Sequence, residues 1–108
     1  MDDLLDTATF DGMKELLEDE FPSFLEMFFS ENQDALDRIK TGLSDSNADE
    51  IRAAAHNLKS STGYLGAMKL SELAKHMEEK AAAGDISGLD SVYTQAQTML
   101  DTIKTQVS

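Results

Sequence analysis

Apolar residues recur at intervals of three and four along the whole chain, the spacing that gathers them on one face of an α-helix. Strand signals are almost absent. A short helix is predicted over Asp11 to Glu18, after Phe10 and a partly ordered tail over about residues 1–9. Pro22 suits the first turn of a long helix, along which Leu25, Phe28, Leu36, Ile39 and Leu43 keep one stripe. Gly42 and the polar run Ser44-Asp45-Ser46-Asn47 end that helix. Ser46 with Asp49, or Asn47 with Glu50, makes a capping box for the next, which runs from about Ala48 to Tyr64. A further helix covers about Met68 to Ala83 and is closed by Gly84; the last spans about Ser87 to Gln106. The pattern predicts an all-α fold: an antiparallel up-and-down four-helix bundle with a short additional N-terminal helix.

The 108 residues fit one domain, read as residues 1–108, with little room for a second. There is no cysteine, so disulfides and thiolate metal sites are excluded and a reducing cytoplasm is the expected compartment. The N-terminus begins with acids where a secretory signal carries basic residues, and no apolar run approaches the roughly 20 residues that span a bilayer. The formal net charge of −12 repels nucleic acid and anionic membranes. None of this gives a function, because a bundle hosts many.

Chemistry enters at Ala54 to Ala67, the run AAHNLKSSTGYLGA. On a helical wheel with Ile51 at zero, Leu58 falls at about 340°, Ala54 at about 300°, Ala55 at about 40° and Leu65 at about 320°, which defines the buried face. Lys59 falls at about 80°, Arg52 at about 100°, Gly63 at about 120°, His56 at about 140° and Ser60 at about 180°. His56 therefore points to solvent between two cations and two small residues. A neutral imidazole is a nucleophile, and nearby cations favour the neutral form. Once a phosphoryl group is attached, Arg52 and Lys59 would attract its oxygens and Ser60 could donate to it. An exposed histidine without any role satisfies the same geometry. His76 serves as the control. It too faces solvent, at about 240° on its own wheel, but beside Glu72, Glu79 and Lys80 as ordinary ion-pair neighbours.

His56-Asn57-Leu58-Lys59-Ser60-Ser61, then Leu65-Gly66-Ala67, Leu70, Leu73 and Met77-Glu78 resemble the signature of histidine-containing phosphotransfer (HPt) domains. The resemblance implies a four-helix bundle whose histidine relays phosphoryl groups between receiver-domain aspartates in a multistep two-component phosphorelay. It implies that His56 is phosphorylated and that Lys59 contacts the phosphoryl group. Glu78 stands where relatives place a residue that reaches the imidazole; it lies at about 80° on its wheel, within reach of the next helix. Ser60 departs from the more frequent glycine, although serine is common in bacterial members. Met77 and Ala74 look like core substitutions.

The resemblance further implies a carrier, not an enzyme, with partners in the receiver domains of a hybrid sensor histidine kinase and of a response regulator. The chain lacks a Walker-type loop, so ATP binding and autokinase activity are not expected. No cofactor is expected on this chain; Mg²⁺ and the aspartate belong to the partner. Nucleic acid and membrane are not expected partners, and the protein is read as a monomer. Two alternatives stand beside this reading. One is a helical adaptor that binds receiver or kinase domains without carrying phosphate. The other is a metal-binding bundle, for which the paired E-x-x-H ligands are missing. For docking, Phe29 with Asn32 and Gln33 is the candidate patch, and Phe29 as a core residue is the competing reading. Gly63 is read as clearing the approach of a partner, or else as part of the helix end with Gly66.

Overall fold

The computed structural model describes residues 4–107, and among these every regular element is helical. Helix α1 (Thr7–Leu17) begins four residues earlier than the apolar spacing suggests, because Asp6 caps it. The Asp6 carboxylate accepts from the Thr9 amide at 3.1 Å and from the Thr9 hydroxyl. The tail expected over about residues 1–9 is corrected from Leu5 onward: Leu5 is buried, and the Asp6 amide donates to the Gly66 carbonyl at 2.9 Å. Residues 1–3 of that tail lie outside the described residues. Glu18, with a positive φ of 47°, ends α1 and leads through a single 3-10 turn into the next helix.

Helix α2 (Phe21–Ser44) carries Pro22 in its first turn, where a missing amide hydrogen costs nothing. Its buried stripe is Phe21, Phe28, Asn32, Ala35, Leu36, Ile39 and Gly42. Leu25 and Leu43, expected in that stripe, are only half-buried at its edge. Gly42 does not end the helix. A Cβ there would lie 2.7 Å from Ile51 Cγ1, so the glycine lets the following helix pack close.

Helix α3 (Ala48–Leu65) is capped by Asn47, whose side chain accepts from the Glu50 amide at 3.2 Å. Only that half of the expected box forms, since the Glu50 side chain turns instead to Arg38 at 2.6 Å. Ile51, Ala54, Ala55, Leu58, Thr62 and Leu65 are buried, the face that the wheel picks out. Gly66, at φ 91°, closes the helix: its amide bonds the Gly63 carbonyl and the Ala67 amide bonds the Thr62 carbonyl, a Schellman arrangement. Helix α4 (Met68–Ala82) buries Leu70, Ala74, Met77 and Ala81, and ends in a similar turn at Gly84. Helix α5 (Leu89–Val107) buries Leu89, Ala96, Leu100 and Ile103.

Consecutive long helices pack side by side, and α5 closes the ring by resting on both α4 and α2. This is the antiparallel four-helix bundle with an added N-terminal helix that the spacing predicts. Phe10 of α1 meets Phe21 edge-on at 5.2 Å between ring centres, which continues the core toward that helix. Among the described residues, no helix is long and apolar enough to cross a membrane.

Candidate functional site

His56 sits in the middle of α3 with its side chain 55% exposed, on the solvent side that the wheel assigns to it. Its Nδ1 lies 2.8 Å from Glu78 Oε2 on α4. The other oxygen of that carboxylate, Oε1, lies 2.7 Å from Lys59 Nζ. One carboxylate thus holds both the imidazole and the ammonium, one turn apart on α3. Glu78 is mostly covered (19% exposed), whereas the ring it touches is open to solvent.

The electrostatics follow from this arrangement. The hydrogen bond from Lys59 holds the Glu78 carboxyl below the usual glutamate range; partial burial opposes the shift and the bond to His56 supports it. An ionised carboxylate only accepts hydrogen bonds, so Nδ1 of His56 must carry the proton. In the neutral ring, Nε2 then holds the lone pair. The site therefore presents an exposed imidazole with Nδ1 held as donor and, in the neutral ring, an open lone pair on Nε2.

The sequence pattern has Arg52 and Lys59 favour the neutral imidazole further; in the structure the Lys59 ammonium is matched by Glu78. Arg52 is exposed one turn before His56, and Ser60 is exposed one turn after it. Glu78 reaches across to α3 and meets the imidazole, as the resemblance implies. His76 is exposed on α4, as expected.

The docking candidates fare differently. Asn32 is 1% exposed, and its amide donates to the Phe28 carbonyl at 2.8 Å and to Ser61 Oγ at 2.9 Å. It ties α2 to α3 from within and offers no surface to a partner. Gln33 exchanges two amide hydrogen bonds with Gln97 of α5, at 2.9 and 2.8 Å. Phe29 is half-buried against Phe28, and it lines a groove between α2 and α5 with Gln33, Leu100 and Lys104. The patch expected around His56 is therefore not assembled from these three residues. The reason is geometric: on α2, Asn32, Ala35 and Arg38 face α3, and Phe29 and Gln33 lie on the side that faces α5.

Gly63 is half-buried, on the side of α3 that meets α4. A Cβ there would lie 3.3 Å from Ser71 Oγ of α4, so the bare position accommodates a neighbouring helix of the same chain. Nothing in the sequence pattern marks Ser71 itself. Its hydroxyl donates to the Lys59 carbonyl at 2.9 Å, a contact between residues 12 apart that only the packing of two helices creates. Among the described residues, no group of three or more His, Cys, Asp or Glu side chains is placed to hold a metal ion.

Compared with models of protein families, residues 23–106 match the Hpt domain. The fold is similar to that in the crystal structure of histidine-containing phosphotransfer protein B (HptB) from Pseudomonas aeruginosa PAO1. The TM-score is 0.94 at 24% identity, over 98% of this chain and 92% of that one. A comparison with curated proteins gave no match.

Proposed function

Because the chain belongs to the Hpt domain family, whose members carry phosphoryl groups on histidine, we propose that His56 relays phosphate between receiver-domain aspartates. Its partners in this reading are the receiver domains of a hybrid sensor histidine kinase and of a response regulator, in the cytoplasm. The observation that carries the proposal is the exposed His56 ring with Nδ1 held at 2.8 Å by Glu78.

The chemistry needs little else from this chain. The Nε2 lone pair attacks the phosphorus of the partner's aspartyl phosphate, forming the N–P bond. The P–O bond to the aspartate breaks, and the carboxylate leaves with the electron pair. No proton is lost, so the ring becomes a positively charged phosphoimidazolium. Its Nδ1 proton stays hydrogen-bonded to Glu78, whose negative charge stabilises the charge that develops on the ring. Lys59 can turn from Glu78 to the phosphoryl oxygens, with Arg52 and Ser60 a turn to either side. The partner supplies Mg²⁺ and the aspartate, and transfer onward reverses the same step. This chain acts as a carrier without a kinase activity of its own.

The test is incubation with a receiver domain bearing labelled phosphate. The parent and His76→Ala are expected to take up an acid-labile, base-stable label, and His56→Ala none. Labelling of His56→Ala would remove the central residue from the proposal. Binding of the receiver by the parent without any label would favour the adaptor reading.

A further inference from the structure

Thr62, Thr94, Thr102 and Thr105 each bond the carbonyl one turn back in their own helix. Ser71 is different. Its hydroxyl leaves α4 and bonds the Lys59 carbonyl of α3, on the turn that follows His56. The space for it exists because Gly63 has no side chain: a Cβ there would crowd Ser71 Oγ at 3.3 Å. Glu78 lies two turns further along α4, on the same side as Ser71, since seven residues bring a helix back to within about 20°. One stripe of α4 thus grips the Lys59 backbone through Ser71, and the Lys59 ammonium and His56 ring through Glu78.

We propose that Ser71, in the gap left by Gly63, is a positioning residue that fixes the height and separation of α4 so that Glu78 reaches both His56 and Lys59. It acts on the reaction through Glu78 and touches neither phosphate nor the attacking nitrogen. The inference rests on the reading of His56 as the phosphoryl acceptor, and it assigns a purpose to Gly63 other than partner access.

Two measurements test it, on Ser71→Ala, where the replacement is the better helix former. Ring ¹⁵N shifts of His56 are expected to report the Nδ1–H tautomer in the parent and a mixture of both tautomers in Ser71→Ala. Transfer is expected to slow by roughly three- to tenfold in the parent background, and by less than about twofold when Glu78→Ala is already present. Gly63→Ala, which crowds the Ser71 hydroxyl, should move the ring shifts in the same direction. Parent-like shifts in folded Ser71→Ala, or equal slowing with and without Glu78, would overturn the inference. The ring shifts are read without a partner. A parent that takes no label would sink the phosphotransfer reading and leave the positional claim to be decided by the shifts.

Discussion

Glu78 divides one carboxylate between two cationic or proton-bearing groups, and its titration records which of them matters more. Because its folded-state pKa is lowered chiefly by Lys59, the stabilisation it provides is complete above the ordinary value of 4.5. That stabilisation is lost as pH falls through the lower folded value. The stability gap between the parent and Glu78→Gln, from denaturant melts, should therefore be widest near neutrality and narrow below about pH 4.5. Lys59→Ala should move the Glu78 titration up more than His56→Ala does, as followed by side-chain carboxyl ¹³C shifts. The same variant should slow phosphoryl transfer and leave the bundle folded. Asn32 makes the opposite case. Asn32→Leu removes a buried amide bonded to two partners, and is expected to cost about 1–3 kcal/mol of stability while transfer from the receiver continues. Slowed transfer with an unchanged melt would restore its docking role. The grouping of His56, Lys59 and Glu78 is legible in the sequence because a known motif selects all three, while helical spacing adds that His56 faces solvent with Lys59 one turn away. The contacts of Asn32, Gln33 and Ser71 are not, since their partners lie on other helices and depend on which way each helix is rotated.

At the scale of the helices, caps and apolar spacing set the layout to within a few residues at most ends. The start of α1 departs furthest, because Asp6 and Thr9 carry the cap while the apolar residues that follow are too sparse to reveal it. Gly42 departs for a related reason. Near the end of a stripe, a glycine that stops a helix and one that admits a neighbour look alike in sequence. The structure separates them, and so does Gly42→Ala. Helix propensity alone would favour alanine by about 1 kcal/mol. Its Cβ, however, would press on Ile51 Cγ1 at 2.7 Å and on the Asn47 carbonyl at 3.2 Å. Overpacking of this kind typically costs about 1–3 kcal/mol, and a lower melting temperature is the expected result. A higher one would mean that α2 and α3 can separate at little cost.

Across the whole molecule, charge is unevenly shared. The segment from α3 through α4 contains five cations (Arg52, Lys59, Lys69, Lys75 and Lys80) and five carboxylates (Asp49, Glu50, Glu72, Glu78 and Glu79), so the net −12 lies outside it. Self-repulsion among the remaining acids opposes the compact state and is screened by salt. The melting temperature at pH 7 is therefore expected to rise as NaCl is raised from low to physiological strength; a flat or falling curve would show that local ion pairs outweigh the repulsion. The exposed His56 ring has a kinetic consequence on this scale. In the proposed role there is a single nucleophilic nitrogen on a single ridge, so donor and acceptor must occupy the same seat in turn. No ternary complex can form over it. Relay between two receivers should then follow a ping-pong pattern, and an excess of unphosphorylated acceptor should slow the relay by keeping the donor away.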